Sequence, residues 1–273
     1  MNFMKTKTDS LHAQLSSPKG PVGVRSHELQ EKVPSGQLHI ISNDIPLKGK
    51  DAEMLASFFD LRLDFVRKMK WRPEATEDWD FYDLDPSTHH FMVADVLQSN
   101  RLVAGMRLTR TSSVQESLSW SMLNEEMAHE AGRVLDSNGN CILENINEAA
   151  RLGNLWDLTR LVNPLDGTVS AETIKDNILM MFGAAFNKTC GVSSDSEEVL
   201  WIFTTTREMK VALDRMGIKS TTLAKGKISL QDSYNSYFCV ASPMADLAYI
   251  QQAQGHERTR EMVMRGLRKA SAL

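Results

Sequence analysis

The stretch WRPEATEDWDFYD, from Trp71 to Asp83, combines residue types that could do chemistry. Its carboxylates lie among the rings of tryptophan, phenylalanine and tyrosine. Carboxylates bind cationic groups, and aromatic faces attract cations as well. The stretch is therefore typical either of a solvated acidic turn or of the wall of a site for a cationic small molecule.

Further charged residues interrupt apolar segments elsewhere in the chain. Arg107 lies in a β-rich run, and Asp157 and Arg160 lie within LWDLTR. A charge inside an apolar run is costly unless it is paired. We therefore expect Asp83, Arg107, Asp157 and Arg160 to pair with one another, either as structural ion pairs or as parts of a site.

The composition argues against several classes of function. The chain has 273 residues, of which 42% are hydrophobic and 24% charged, as in a globular protein. Its formal charge of -4 and its lack of a long basic run argue against nucleic-acid binding. The nucleophile elbow, P-loop, HExxH and dinucleotide fingerprint do not occur, so hydrolase, kinase, zinc protease and Rossmann functions lack their defining residues.

The cysteines and the hydropathy indicate where the protein works. Three cysteines without a CxxC or Cys/His grouping favour a reduced, cytoplasmic protein and suggest no metal site. No apolar run reaches the ~18 residues that a membrane helix requires. The N-terminus also lacks the apolar centre of a signal peptide, so we expect no membrane insertion.

Hydrophobic periodicity predicts the elements that position the charged residues. Arg62 and Trp71 are assigned to the first helix, and Arg107 to the second strand of a hairpin. The predicted order is a strand (38–44), a helix (51–70), a β-hairpin (91–110), the apolar run LWDLTRLVN (155–163), a helix (171–190), a strand (199–206), a helix (207–217) and a strand (237–242). This alternation favours an α/β or α+β sheet with helices on its faces.

The remaining segments predict the domain organisation. Residues 1–36 are rich in Ser, Lys, Pro and Gly, which predicts a disordered N-terminal tail. Residues 111–150 form an insertion of uncertain structure, and 244–273 are expected to form a C-terminal helical extension. A single domain over 37–243 carries the candidate residues.

Several motifs, taken in order, resemble the acyl-homoserine lactone synthase (autoinducer synthase) family. An Arg precedes FVRKMKW, which is followed by D-x-D-x-x-D, GMRLTRT and WDLTR, so the resemblance spans roughly residues 38–242. It implies the fold of the GCN5-related N-acyltransferases (GNAT fold), with a twisted, mixed, centrally splayed sheet flanked by helices. It also implies an acyltransferase that makes a quorum-sensing signal from S-adenosylmethionine and an acyl chain on acyl carrier protein or CoA, by amide formation and then lactonisation. S-adenosylmethionine is then a substrate, and no cofactor is implied.

The resemblance also implies roles for individual residues. Asp157 falls on the family's proposed base, which takes a proton from the attacking amine directly or through water, and pairing with Arg160 would keep it charged. Acyl carrier protein is acidic, so a basic face is expected to dock it. The implied residues are Asp157, Arg160 and Asp83 for catalysis; Arg62, Trp71, Asp78, Asp80 and Arg107 for substrate binding; Phe203, Thr204, Thr205 and Thr206 for the acyl pocket; and Arg207, Lys210, Arg215 and Lys219, with Lys225 and Lys227, for carrier docking.

Departures from the family pattern leave other functions open. Asp78 and Asp157 stand where the family has glutamate, so each acid is one methylene shorter. Additional residues also separate Arg107 from Asp157. The alternatives are an N-acyl amino acid synthase or another GCN5-related acyltransferase, and a non-catalytic relative that binds a ligand or partner.

Overall fold

The computed structural model describes residues 36–43, 49–98, 100–191, 198–227 and 235–272. The predicted N-terminal tail therefore lies outside the described residues, apart from Gly36. The strands are β1 (Gly36–Ser42), β2 (Thr88–Asp95), β3 (Arg101–Arg110), β4 (Leu155–Val162), β5 (Leu200–Thr206), β6 (Thr221–Lys227) and β7 (Asn235–Ala241). The α-helices are α1 (Lys50–Lys68), α2 (Leu118–Ser121), α3 (Glu125–Ala131), α4 (Ile142–Arg151), α5 (Ala171–Cys190), α6 (Arg207–Met216), α7 (Pro243–Gln252) and α8 (Glu257–Ser271).

The strands form one mixed sheet in the order β1-β2-β3-β4-β5-β7-β6. All neighbouring strands are antiparallel except β4 and β5, which are parallel and are connected through α5. Two parallel strands need such a crossover, because the chain must return to the end of the sheet at which the first strand began. This architecture confirms the predicted fold class.

The sheet opens at its centre, between β4 and β5. In the described part of the chain, the two strands pair only where Leu155–Asp157 meets Leu200–Ile202. Both strands continue beyond these pairs, to Val162 and Thr206. Asp157 therefore lies at the point where the two strands separate, as the predicted central splay requires.

A β-bulge in β4 redirects Arg160. Gly105 pairs with Val162 and Arg107 pairs with Thr159, so two residues of β4 oppose one residue of β3. Arg160 has a φ of 58°, in the left-handed region that non-glycine residues rarely adopt. Bulges of this kind change the direction of a side chain next to a functional site, and here Arg160 reaches the same carboxylate as Arg107.

The two faces of the sheet differ in how they are covered. On one face, α5 packs over a continuous apolar core that includes Leu108, Leu158 and Trp201. On the other face there are two separate apolar clusters, one beneath α1 and one beneath the helices of residues 111–150. Strand alternation directs Arg107 and Asp157 to this second face, where they form a polar strip between the two clusters.

Helix α1 lies very close to β3, which brings Arg62 over the polar strip. A Cβ atom at Gly105 would approach Cε2 of Phe58 to 2.4 Å, so this position of β3 accommodates only glycine without a shift of the Phe58 ring. Phe58, Leu55 and Phe65 are buried on the same face of α1 as Arg62. Their spacing of three to four residues produces one buried helical face.

Several predicted elements differ from the structure. The first helix ends at Lys68, and Lys70 has a φ of 58°, so Trp71 lies beyond the helix rather than on it. Strand β6 was not predicted, because its sequence TTLAKGK lacks a sustained apolar alternation. The uncertain segment 111–150 contains the short helices α2 to α4.

Candidate active site

Three arginines and three aspartates meet above β3 and β4, and we call them the Arg/Asp cluster (Arg62, Arg107, Arg160, Asp78, Asp80 and Asp83). Arg62 donates from Nε to Asp78 at 3.0 Å and from Nη1 to Asp83 at 2.6 Å. Arg107 donates from Nη1 to Asp80 at 2.5 Å and to Asp83 at 2.8 Å. The cluster thus ties α1 and β3 to the stretch from Trp71 to Asp83, which we call the acidic stretch.

Arg160 completes the cluster from β4. Its Nη2 donates to Asp80 at 2.6 Å, and its Nη1 lies 3.5 Å from Asp78. Arg72 also donates to Asp78, at 3.0 Å, from a more exposed position. Asp78, the carboxylate that is shorter than the family's glutamate, is thus buried and bonded within the cluster, whereas Glu77 next to it is exposed.

Backbone contacts hold the acidic stretch in place. The stretch ends in a 3-10 helix, Phe81–Leu84, and Oδ2 of Asp83 accepts from the amide of Asp80 at 2.8 Å. The carbonyl of Asp83 accepts from Nδ2 of Asn43 at 2.6 Å, and the carbonyl of Tyr82 accepts from the Thr88 hydroxyl at 2.7 Å. The carboxylates are therefore fixed against β1 and β2 before any ligand binds.

The arginines keep the carboxylates of Asp80 and Asp83 ionised. Burial alone would raise the pKa of Asp80, but Arg107 and Arg160 hold this pKa at about 2. Burial also opposes ionisation of Asp83, yet Arg107 and Arg62 lower its pKa below the ordinary value. Buried His90, beside the Asp83 carbonyl, has its pKa lowered by burial to about 4 and is therefore neutral at pH 7.

Four buried N–H groups around the cluster lack a hydrogen-bond partner among the described residues. They are Nη2 of Arg62, Nη2 of Arg107, Nε of Arg160 and Nε1 of Trp71. Buried donors of this kind are rare and usually mark a place where water or a ligand binds. The cluster therefore combines the ionised carboxylates of Asp80 and Asp83 with N–H donors that could bind a carboxylate or another acceptor.

Asp157 does not pair with Arg160, and this sequence-based prediction was wrong. The Asp157 carboxylate accepts from the Ser119 hydroxyl at 2.5 Å and from the Ser119 amide at 3.1 Å. The β-bulge turns Arg160 towards the acidic stretch. Asp157 precedes Arg160 by three residues in β4 and points towards α2. Asp157 is only 2% exposed, and burial raises its pKa against the opposing effect of the Ser119 donors.

An open pocket of about 760 Å³ reaches Asp157. It lies at the N-terminal end of β4, between the acidic stretch and the segment that follows β3. Aromatic, hydroxyl and charged side chains line it. The charged and titratable ones are Tyr82, Asp85, Arg110, Glu116, Arg151 and Asp157.

The residues expected to line an acyl pocket lie on β5, across the splay from β4. Phe203 is buried in the core beneath α5. Thr204 donates to the Ser119 carbonyl at 3.1 Å, and Thr206 caps α6 by accepting from the Met209 amide at 3.4 Å. Thr205 is half-buried between them. An acyl-pocket role for these residues stays a prediction.

The residues expected to dock an acyl carrier protein differ in their surroundings. Arg207 and Arg215 are exposed on α6. Lys210 contacts Asp214 at 3.1 Å, and Lys219 donates to the Asp214 carbonyl at 2.6 Å. Lys225 and Lys227 lie on β6. Carrier docking also stays a prediction.

Sequence reasoning missed Ser119 and Thr159. Thr159 accepts from Nε of Arg107 at 3.0 Å, and strand alternation from Asp157 could have identified it. Ser119 is 38 residues from Asp157 in sequence and lies in the segment that was left unassigned. No sequence pattern relates the two.

Comparisons with known proteins establish the fold. No protein-family model and no curated protein matches the chain. Among solved structures, the CoA-dependent acyl-homoserine lactone synthase BjaI, bound to SAM and isopentyl-CoA, is 14% identical with a TM-score of 0.53, covering 87% of this chain and 100% of BjaI. The CoA-dependent acyl-homoserine lactone synthase MesI is 12% identical with a TM-score of 0.50, covering 84% of this chain and 95% of MesI.

A third similar structure is TofI in a ternary complex with an inhibitor and MTA. It is 16% identical with a TM-score of 0.50, covering 76% of this chain and 91% of TofI. These likenesses define the class of architecture: the chain has the acyltransferase fold that acyl-homoserine lactone synthases share.

In the described residues, no helix is long and apolar enough to cross a membrane.

Proposed function

We propose that this chain is an acyl-homoserine lactone synthase, with residues 37–243 as its acyltransferase domain. The observation that carries the proposal is the Arg/Asp cluster, which lies beside the splay between β4 and β5. It unites Arg62 with residues of the D-x-D-x-x-D, GMRLTRT and WDLTR motifs of the family resemblance, on the fold of BjaI and MesI. A purely structural ion-pair group would account for the charges, but not for the unpartnered donors around them.

S-adenosylmethionine has chemical complements in the cluster. Its carboxylate matches the unpartnered N–H groups of Arg62, Arg107 and Arg160. Its ammonium and sulfonium suit an ionised carboxylate, and Asp80 is the partly exposed one, with 20% of its side chain accessible. Trp71, which packs edge-on against Phe65, is proposed to offer an aromatic contact to adenine.

Asp157 is the proposed general base. The amine nitrogen attacks the thioester carbonyl carbon, Asp157 accepts the proton from the nitrogen, and the carbon–sulfur bond breaks as the amide forms. Asp157 then returns the proton to the departing thiolate, which leaves as a thiol. A carboxylate with a pKa raised by burial is a better base than an exposed one, because its pKa lies nearer the working pH. Backbone amides on the separated edges of β4 and β5 are the candidate donors to the oxyanion.

Lactonisation needs little further chemistry from the protein. A carboxylate oxygen of the acylated S-adenosylmethionine attacks the γ-carbon, the carbon–sulfur bond breaks, and methylthioadenosine leaves as a neutral thioether. The proposed contribution of Arg62 and Arg107 is to hold the carboxylate in a reactive geometry. Asp83, bonded to both guanidinium groups, keeps them in position.

The acyl donor is proposed to be an acyl-CoA or an acyl carrier protein. BjaI and MesI are CoA-dependent, which supports CoA. Arg207 and Arg215 are exposed, which supports docking of the acidic carrier protein. Lys210 and Lys219 support it less, because they contact Asp214 of the same chain. These donors and S-adenosylmethionine are made inside the cell, so we propose a cytoplasmic location.

One observation favours a second function, N-acylation of another amine such as an amino acid. Asp157 is separated from Arg160, so the candidate base opens to the pocket beside Tyr82 rather than to the cluster. An amine in this pocket could reach Asp157 without occupying the cluster.

Product analysis separates the candidates. Purified full-length protein is incubated with S-adenosylmethionine, a panel of amino acids, and acyl-CoA or acyl carrier protein of varied chain length, and the products are identified by mass spectrometry. An acyl-homoserine lactone with methylthioadenosine is the expected result. An acylated amino acid without methylthioadenosine would favour the second function, and no product with any amine would contradict both.

A further inference from the structure

The segment that follows β3 contacts the proposed site directly. The Tyr82 hydroxyl donates to the Glu116 carbonyl at 2.8 Å, which joins the acidic stretch to this segment. The Thr204 hydroxyl donates to the Ser119 carbonyl at 3.1 Å, which joins it to β5. Ser119 also donates twice to Asp157 on β4. The segment thus bridges the two strands near the point where they separate.

Local structure explains why Ser119 faces Asp157. Ser117 caps α2, and its hydroxyl accepts from the Trp120 amide at 3.1 Å. The cap starts the helical turn at Leu118 and leaves the Ser119 amide directed at the carboxylate. Ser119 and Asp157 are both fully or almost fully buried. Their contact is therefore not weakened by bulk water.

We propose that Ser119 is a positioning residue for the base Asp157, supplied by the segment inserted between β3 and β4. The role rests on the proposed function, in which Asp157 accepts the amine proton. The hydroxyl binds Oδ1 and the amide binds Oδ2, so the two donors fix the rotation of the carboxylate. Asp157 also lines the open pocket, from which the amine is proposed to approach it.

The arginines of the cluster do not serve this purpose. Arg107 is the cation with the largest influence on Asp157, but its Nη1 bonds to Asp80 and Asp83 and its Nε bonds to Thr159. Other charged and titratable groups line the pocket that reaches Asp157. They are Arg110 on β3, Tyr82 and Asp85 in and after the acidic stretch, Glu116 on the inserted segment and Arg151 on α4. The hydrogen bonds of Asp157 come from Ser119 and the adjoining Leu118 amide.

The test compares Ser119→Ala with Ser121→Ala. Ser121 lies on the same helical turn, but its hydroxyl donates to the Leu118 carbonyl at 2.8 Å on the exposed side. The first measurement is the pH dependence of kcat/KM for amide formation. The second is a titration of the Asp157 carboxyl by carbon-13 NMR, with Asp157→Asn to assign the signal, and it requires no substrate.

The expected result is specific to Ser119→Ala. Loss of the hydroxyl removes a hydrogen bond that favours the ionised form, so the pKa of Asp157 rises and the acid limb of the pH profile moves to higher pH. We expect kcat/KM on the acid side to fall about tenfold or more, with a smaller loss at alkaline pH. Ser121→Ala should match the wild type in both measurements.

Two results would overturn the inference. One is an unchanged Asp157 titration in Ser119→Ala. The other is an equal loss of activity at every pH, which indicates only a structural role. If the wild type makes no acylated amine, the proposed function fails, and the NMR titration still decides whether Ser119 controls the state of Asp157.

Discussion

Buried aspartates occur in two neighbouring regions of this molecule, and their surroundings give them opposite acidities. In the Arg/Asp cluster, guanidinium groups hold the pKa of Asp80 at about 2. Near Ser119, Asp157 has uncharged donors as its hydrogen-bond partners, and burial raises its pKa. Carboxylates whose environments separate their pKa values can take different roles in one site. The cluster is suited to hold a charged substrate, and Asp157 is suited to exchange a proton.

Removal of one cluster arginine should have the largest effect on stability. Arg107→Ala removes the cation that bonds to both Asp80 and Asp83. Asp80 then keeps only its contacts with the other cluster arginines, and Asp83 keeps Arg62. Breaking a buried ion pair in this way costs about 3–5 kcal/mol of unfolding free energy. Urea denaturation should show this loss.

Arg151→Ala is the matched control for Arg107→Ala. Arg151 pairs with Glu148 in an exposed pair on α4, and such solvent-screened pairs contribute little to stability. Equal losses of stability in the two variants would show that the cluster is no more coupled than a surface pair.

Asp157→Asn should separate activity from stability. We expect kcat to fall by about 10²–10⁴-fold, the usual contribution of a general base. The free energy of unfolding should stay equal or rise, because the variant buries a neutral group in place of a carboxylate. Steady-state kinetics and urea denaturation of one protein preparation check both expectations. A loss of stability as large as that of Arg107→Ala would make Asp157 a structural residue.

Sequence could predict the cluster better than the base. Arg107 and Asp83 are charges placed in or beside apolar segments, so their pairing followed from the cost of burying them alone. A role for Arg62 was implied only by the family resemblance. The direction of Arg160 could not be predicted, because the β-bulge depends on how β4 pairs with β3. The contact between Asp157 and Ser119 could not be predicted either, because it joins two segments that only the fold brings together.

The fold itself followed from periodicity where the elements are long. The twenty residues of α5 and its Ser170 cap match the predicted helix. Strand β6 was not predicted because its polar sequence lacks an apolar alternation. Trp71 lies outside α1 because the chain turns through the left-handed conformation of Lys70.

The acid sensitivity of the two regions should also differ. The pKa values of Asp80 and Asp83 are lower in the folded protein than in the unfolded chain, so their stabilisation is present above pH ~4. It is lost as the pH falls through their folded values, which for Asp80 is about 2. Asp80→Asn should therefore flatten the decline of unfolding free energy between these pH values. An unchanged decline would contradict the assigned pairing.

A smaller effect of opposite sign is expected at Asp246, outside the site. Burial raises the pKa of Asp246 to about 7, although the Lys219 amide donates to it at 2.9 Å. The folded state therefore holds a proton that the unfolded chain releases, and stability falls as the pH rises from ~4 to about 7. Asp246→Asn should gain stability relative to wild type at pH 8 but not at low pH. Thermal denaturation at the two extremes checks this, and an equal change at both would refute the raised pKa.

An isotope experiment tests the central claim most directly. The full-length protein is given S-adenosylmethionine with a carbon-13 label in its carboxyl group, together with an acyl-CoA, and the products are analysed by mass spectrometry. The account predicts an acyl-homoserine lactone that carries the label in its ring, released with methylthioadenosine by the wild type and strongly reduced in Asp157→Asn. A labelled lactone made equally well by Asp157→Asn, or an acylated product without the label, would contradict it.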